Sequence, residues 1–597
     1  MKKISRITLL LILIIAIKVT SAQNGFNVRG VLPWHNFLSG PSAWNEEDYR
    51  KYLDDCKSKG INFIGFHNYT GGGERYATYV EPMIKIAYKG ILPQAYFDNS
   101  LSARWGYLPM KVSDFAFNSS RAFNLQGKVD AFGSEASISS KSTQEQYDKS
   151  QALMKKVLSM AHERGIQMAM GFEFGVIPPE YFSLNIAGDC FYWAGQSNMI
   201  PNPKNQIAID LHYAAIDNIL ETYPDIDWIW LWLNEHSFMS VDLEKALKNK
   251  PFKEAFDQNA AIFTGAKTDE ERFVGVWALE YIRLTVDYLK KKGSKAGIIL
   301  GGWGGGNQLP ALLTGLDKAL PKEIVFSCLN PNLGKEAQPL FLSEIGKNRK
   351  VWAVPWLEGD HQLWHFQPRV DMIGKQVKLA ADQHLDGVIA IHWRTEETRF
   401  NMNAFSYFAS NPTSAKTTEQ LYAEYIDKEF GKQAVDQLVP LLVKMDVQQI
   451  HWNVPSPEFY AYTPEWGKLD EQNKLLRQSL VSKINELVPT VKGAQLESLK
   501  RFKAMFEFEL LLNEVGRAMD RAYQMKKTET ESGTVYAEED FRLALKQLEA
   551  APLQKMFDTY IERINSRGEL GVLSSLNQRV WSEYKELQNY LNQKLNQ

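Results

Sequence analysis

Asp227-Trp-Ile-Trp-Leu-Trp-Leu-Asn-Glu-His236 is the stretch whose reading decides the fold. Trp228 to Leu233 are six consecutive large apolar residues, so both faces of the strand they form must be covered. That is the pattern of a buried parallel strand. It stops at Asn234 and Glu235, which puts a carboxylate at the carboxyl end of a parallel strand, where α/β barrels and doubly wound sheets place their chemistry. A carboxylate there also caps helices or pairs with arginine, so the rest of the chain has to decide between roles.

Outward from this stretch the chain alternates strand and helix. Phe26 to Trp34 reads as a first strand, a helix starts at Asn45 and stops at Gly60, and Ile61 to His67 is the second strand. After an interruption, Thr143 and Gln146 read as the capping box of a helix to Arg164, and Ile166 to Glu173 as the third strand. Helices 207–223, 270–292, 309–319, 337–347 and 368–384 lead to strands 227–234, 296–301, 324–328, 351–356 and 387–392. Eight strands, most preceded by a helix, predict an α/β fold, a (β/α)8 TIM barrel over residues 23–410. The segment at about 70–142 breaks the rhythm and reads as an insertion forming one wall of a cleft; Ile91 to Phe97, a further strand candidate, stands outside the count. Past Pro412 the pattern is helix upon helix, at 418–430, 469–490, 494–527, 537–566 and 573–594. This predicts a C-terminal all-helical domain over 411–597, with the proline- and aromatic-rich His451 to Tyr462 as a packed connection. A chain of 597 residues exceeds one core, which fits two domains.

Composition excludes some functions. With 70 acidic against 68 basic residues there is no basic footprint for nucleic acid. Lys2, Lys3 and Arg6 precede the apolar run Ile7 to Ile17, and Thr20 and Ala22 fit a signal-peptidase site, so residues 1–22 read as a signal peptide cleaved after Ala22. The run is too short to span a bilayer. The expectation is an exported protein, periplasmic or secreted, with no stable membrane span after cleavage. Cys56, Cys190 and Cys328 are too few and too far apart for a disulfide framework or a cysteine metal site, and neither metal nor organic cofactor is expected.

The carboxylates at the strand ends carry the chemistry. Cleaving a glycosidic bond takes two carboxyl groups, an acid for the leaving oxygen and a second as nucleophile or base. Beside Glu235, Val351-Trp-Ala-Val-Pro-Trp-Leu-Glu358-Gly-Asp360 supplies a glutamate just past the seventh strand. Asn-Glu closing strand four and Glu closing strand seven resemble the large clan of retaining barrel glycosidases. The resemblance implies Glu235 as acid/base, Glu358 as nucleophile, Asn234 on the hydroxyl beside the reacting carbon, and Trp393 as the sugar's floor. The Arg29-Gly-Val-Leu-Pro-Trp34 opening, the Trp393-Arg394 strand end and the helical C-terminal region resemble instead the α-glucuronidase families, which invert and carry an N-terminal domain that this chain lacks.

The second carboxylate therefore stays open at this point. Asp360, and Glu396 or Glu397 in His392-Trp-Arg-Thr-Glu-Glu397, are candidate inverting bases, and Glu173 in Gly171-Phe-Glu-Phe-Gly175 is a further mouth carboxylate. A retaining pair stands ~5–5.5 Å apart and an inverting pair ~6.5–9.5 Å. The structural alternative for Glu235 or Glu358 is a salt bridge with Arg394 or Arg29. Trp34, His35, His67, Asn68 and Trp303 lie at strand ends suited to hydroxyls or sugar faces, and His361 and His365 follow strand seven. Arg394 favours an acidic sugar, because guanidinium pairs bidentately with carboxylate or sulfate. Gly301 to Gly306 lacks the Lys-Ser/Thr of a phosphate loop and reads as a strand-end turn. The expected partner is a carbohydrate substrate; the alternative of another class is a non-catalytic carbohydrate-binding barrel. The oligomeric state is not written in the sequence.

Overall fold

The computed structural model describes residues 25–34, 40–70, 81–95, 111–123, 130–184, 190–192, 199–233, 242–302, 308–450, 465 and 467–596. Its centre is a closed barrel of eight parallel strands. In chain order these are β1 Val28–Pro33, β2 Phe63–Asn68, β3 Gln167–Glu173, β4 Trp228–Trp232, β5 Gly297–Gly302, β6 Val325–Leu329, β7 Val351–Val354 and β8 Gly387–His392. Each strand pairs with the next, and β8 closes on β1 with Val28 opposite Gly387 and Pro33 opposite His392. A short antiparallel pair, Phe191–Tyr192 with Met199–Ile200, lies outside the barrel.

The central strand shows why its sequence has no polar positions. Trp230 and Trp232 pack in the barrel interior with Leu32, Phe63, Ala169, Ile299, Trp352 and Ile389, and Trp228 packs against the same cluster. Ile229, Leu231 and Leu233 face outward into the layer between sheet and helices. Tryptophans at period two thus fill the inside of the barrel while aliphatic residues meet the helices. The interior has to make room for them: a Cβ on Gly65 of β2 would stand 2.1 Å from the Trp230 ring.

The helices follow the sequence reading with local corrections. The helix Glu46–Ser58 has Asn45 and Asp48 as its capping box and buries Tyr49, Leu53 and Cys56. For Thr143–Glu163 the cap is Ser142, whose hydroxyl accepts from Glu145 N, and not the Thr143–Gln146 box. The expected helix 337–347 shrinks to Leu342–Gly346 behind a 3-10 turn at Asn332–Gly334, since Pro339 interrupts it. The expected 537–566 helix is two, Glu538–Glu549 and Leu553–Arg563, broken at Pro552. The last helical stretch starts earlier, at Arg567 behind a Ser566–Glu569 capping box, and passes through a π turn at Asn577–Trp581 before Ser582–Leu595. Arg399–Ser410 and Val435–Val447, the latter with Pro440 inside, are helices outside the sequence expectation. Within the Ile91–Phe97 strand candidate, Ile91 makes only an isolated antiparallel bridge, to Tyr88.

C-terminal helices form two apolar cores, and both take in barrel residues. One gathers Tyr422, Ile426, Leu438, Leu442, Leu480 and Phe502 around Phe366, Val370 and Phe400. The other gathers Phe508, Leu512, Phe557, Tyr560 and Leu573 around Trp364 and Ala116. The 40-residue helix Gly493–Ser532, ended by Gly533 in the left-handed region at φ 67°, contributes to both. Polar bonds cross the same seam: Trp364 Nε1 donates to Ser575 Oγ at 2.8 Å, and Phe366 N to Glu509 Oε1 at 2.7 Å. Among the described residues no helix is long and apolar enough to cross a membrane.

Candidate active site at the barrel mouth

Parallel pairing continues beyond the formal strand ends and sets the height of every mouth residue. Trp34 N donates to His392 O at 2.8 Å, Phe174 N to Trp232 O at 3.1 Å, and Leu233 N to Gly301 O at 3.0 Å. Pro355 breaks β7, yet Ile391 N bonds Pro355 O at 3.0 Å and Leu357 N bonds Ile391 O at 2.9 Å. The segment after β7 is thereby carried up beside β8, which places Glu358 against Trp393 and Arg394.

Aromatic side chains wall this end. Trp34 stacks on the His67 imidazole, centroids 4.2 Å apart at 18°, and meets Trp232 edge-on at 5.6 Å. Trp393 stands 6.3 Å from Trp34 and 5.5 Å from Trp356. Rings from β1, β2, β4, β7 and β8 therefore form one aromatic cluster at this end of the barrel, and all four tryptophans are buried. On the β2–β3 side, His67 Nε2 lies 3.4 Å from Glu173 Oε1, with side-chain exposures of 0% and 2%. Asn68 Nδ2 donates to Gly171 O at 2.9 Å and contacts Met170 Sδ at 3.0 Å, while its Oδ1 is buried without a hydrogen-bond partner.

On the β7–β8 side, Glu358 is fully buried and accepts three hydrogen bonds. Oε1 takes Trp393 N at 2.8 Å and Arg394 N at 2.6 Å; Oε2 takes Arg394 Nε at 2.7 Å. Burial pushes the carboxyl up from its ordinary value, against the pull of Arg394 and of the two backbone N–H groups. Arg394 is held above its ordinary range: burial lowers it, but Glu358 and Glu397 outweigh that. Its other nitrogens are engaged too, Nη1 donating to Leu363 O at 2.6 Å and Nη2 to His365 O at 2.9 Å. The guanidinium is thus committed inside the protein, and the expectation that it favours an acidic sugar finds no support in its bonding. Arg29 lies at the opposite end of β1, bonding Phe26 O and Gly60 O, so the mouth salt bridge open to either arginine is made by Arg394.

The remaining candidates separate. Glu397 is buried; Arg563 Nη2 from the C-terminal helices donates to its Oε1 at 2.9 Å, and Arg394 Nη1 stands 3.9 Å away. Burial would raise its carboxyl, but the two guanidiniums hold it below the usual range. Glu396 faces the same seam, accepting Asn565 Nδ2 at 3.1 Å and pairing with Arg399 at 3.3 Å. Asp360 begins the 3-10 turn Asp360–Gln362 and helps offset the burial that lowers Arg369 to about 9. His365 is buried behind Arg394, Arg477 and Arg563; burial first and these cations second hold it well below its ordinary value. The predicted Asn234, Glu235, His35 and Trp303 lie outside the described residues, as does the side chain of His361.

Trp232, Trp356 and Arg563 belong to the constellation and were not among the sequence candidates. Period-two spacing, Trp230/Trp232 and Val354/Trp356, is the signal that could have found the first two. Nothing local in sequence joins Arg563 to a partner 166 residues away. Among the described residues no group of three or more His, Cys, Asp or Glu side chains is arranged to hold a metal ion.

By sequence, no family model and no curated protein matches this chain. Among solved structures it is similar to a family 89 glycoside hydrolase from Clostridium perfringens in complex with PUGNAc, with TM-score 0.52 and 11% identity, covering 96% of this chain and 64% of that one. It is similar also to a GH138 enzyme targeting pectin rhamnogalacturonan II, with TM-score 0.46, 11% identity and coverage of 96% and 84%. A mutant of the Thermobaculum terrenum O-GlcNAc hydrolase follows at TM-score 0.42, 10% identity and coverage of 96% and 97%. The chain spans slightly less than two thirds of the family 89 enzyme, and over that span, from barrel through C-terminal helices, the two share a fold.

Proposed function

We propose that this chain is a glycoside hydrolase acting on oligo- or polysaccharide, with retention of anomeric configuration. The observation that carries the reading is the mouth itself: four tryptophans and His67 cluster at the strand ends beside the buried carboxylates Glu173 and Glu358. Flat apolar rings beside fixed hydrogen-bonding groups are what a pyranose needs, because its C–H faces stack and its hydroxyls bond at the edge. The fold shared with a glycoside hydrolase supports the class by analogy only.

In this reading the Glu358 carboxylate attacks the anomeric carbon while the Glu235 carboxyl protonates the departing glycosidic oxygen. Water then cleaves the glycosyl-enzyme ester with Glu235 as base, returning Glu358 to its free form. Oε2, which carries one hydrogen bond against two on Oε1, is the attacking oxygen. Trp393 and Trp34 support the sugar faces; Glu173, His67 and Asn68, with Asn234, receive hydroxyls. Retention is favoured over inversion because two of the three alternative bases are engaged at the seam with the C-terminal helices, Glu397 by Arg563 and Glu396 by Asn565 and Arg399; Asp360 is the base that inversion would use. The reading also keeps export, with cleavage after Ala22.

The test is proton NMR of the anomer first released from a panel of neutral and uronic-acid oligosaccharides, with Glu235→Gln and Glu358→Gln in parallel. Retention with both variants crippled is expected. Inversion with an active Glu358→Gln moves the base to Asp360, Glu396 or Glu397. Intact binding without turnover across the panel makes the chain a carbohydrate-binding barrel.

A further inference from the structure

The buried charges behind the mouth form one line. From the C-terminal helix Leu553–Arg563, Arg563 Nη2 reaches Glu397 Oε1 at 2.9 Å; Arg394 Nη1 stands 3.9 Å from that oxygen; Arg394 Nε reaches Glu358 Oε2 at 2.7 Å. None of the four residues is more than 4% exposed. Arg563 is itself fixed, its guanidinium lying 4.8 Å from the Tyr560 ring and 5.3 Å from the Phe508 ring, with Nη1 on Trp364 O at 3.3 Å.

Arg394 therefore stands between two carboxylates and can serve one fully. With Arg563 in place Glu397 already has its cation, and Arg394 gives its Nε–H to Glu358. Without Arg563, a buried Glu397 carboxylate 3.9 Å from Nη1 would have no other cation among its hydrogen-bond partners, and the cost of leaving a buried charge unpaired draws Arg394 toward it. A cavity of about 30 Å³ is lined by Glu397, Arg563 and Glu569. The loop after β7 supplies the rest of Arg394's cradle through Leu363 O and His365 O, and the C-terminal helices anchor that loop through Trp364 and Phe366.

We infer that Arg563 is a positioning residue: by neutralising Glu397 it keeps Arg394 on Glu358 and so fixes the attacking oxygen at the mouth. This rests on the reading of Glu358 given under Proposed function. It assigns the C-terminal helices a part in the reaction without placing any of their atoms on the substrate.

The experiment uses the full chain labelled at arginine Nε. The Arg394 Nε–H resonance is identified by its loss in Arg394→Lys, and its solvent exchange is followed together with kcat and KM. In Arg563→Met the exchange should quicken and kcat fall by about tenfold to a hundredfold, with KM within about threefold, as a misplaced reacting group gives. Arg563→Lys should recover part of the loss. The double variant Arg563→Met/Glu397→Gln should recover slow exchange and most of kcat, because the rival carboxylate is gone; a role in folding alone predicts that the double variant is the worse of the two. If Arg563→Met does not fold, Arg563→Lys and the double variant carry the test. Unchanged exchange in every Arg563 variant, or a double variant no better than the single, overturns the inference. Exchange that responds while Glu358→Gln turns over like the wild type overturns the catalytic reading of Glu358, and the positioning role with it.

Discussion

Glu358→Gln tests the β7–β8 corner in a way that separates a held carboxylate from a strained one. The substitution keeps shape and removes charge. Its amide has one acceptor oxygen for donors that now meet two, so either the backbone N–H groups of Trp393 and Arg394 or the Arg394 Nε–H must face an NH2 group. An unsatisfied buried donor costs about 1–3 kcal/mol, and breaking a buried ion pair costs about 3–5 kcal/mol, the two overlapping here. Glu397, at 3.9 Å from Arg394 Nη1, offsets part of it by accepting the released guanidinium. The expected loss is about 3 kcal/mol. For a chain of this length that is a fall in Tm of about 2–3 °C, read by calorimetry at neutral pH beside the wild type. Turnover should fall in the same sample. A Tm equal to or above that of the wild type would refute the reasoning, since removing a carboxylate kept at a reacting centre against stability is stabilising. The three donors would then not be satisfying the charge they surround.

Three further outcomes follow from the packing and the buried charges. Gly65→Ala puts a Cβ 2.1 Å from the Trp230 ring inside the barrel, and should lower unfolding free energy by about 1–3 kcal/mol or more in urea denaturation. Arg349→Met removes a buried guanidinium that bonds the Asp317 carboxylate and the carbonyls of Asp317, Leu320, Pro321 and Ile324 over the Phe326 ring; it should cost about 3 kcal/mol by the same assay and leave kcat alone, because it lies on the outer side of β6. Asp446, which accepts Asp371 N and the Tyr422 hydroxyl, is pushed up by burial from 3.8 to about 7. The folded state holds a proton that the unfolded state releases between those values, so this contribution is present at low pH and lost as pH rises through about 7. Asp446→Asn should flatten that dependence, on the order of 4 kcal/mol between acid and neutral pH, by urea unfolding at a series of pH values.

The barrel was legible because its strands are buried on both faces. An unbroken apolar run such as Trp228–Leu233 has few other homes, and the eight strands lie within two residues of their expected bounds. Helix ends were less legible, for reasons that differ. The break at Pro552 is masked in the apolar pattern because Phe541 and Leu548 before it and Phe557 and Tyr560 after it belong to one core, so the face continues although the axis does not. Pro440 hid a real helix by interrupting its signal. Partners at the mouth were least legible. Guanidinium chemistry says that Arg394 wants a carboxylate, but the same chemistry fits a substrate's acid and a glutamate 36 residues back, and only the fold brings the latter to 2.7 Å.

The same limit applies to the place where strands give way to helices. Pro412 marks a change of pattern, yet the apolar and polar seams run across it. Phe366, Val370 and Phe400 from the barrel are buried in one helical core and Trp364 in the other. Arg567 Nε donates to Ala43 O at 2.7 Å and Nη2 to Gly133 O at 2.6 Å, so the last helices also grip the segments after β1 and before β3. A barrel cut away from these helices would expose large aromatics and leave Glu397 without Arg563, each a cost of several kcal/mol in a fold whose net stability is only about 5–15 kcal/mol. The mouth geometry is therefore a property of the two regions together. A pattern of strands and helices identifies which side chains reach the top of the barrel, but the helices packed behind them decide how those side chains are held.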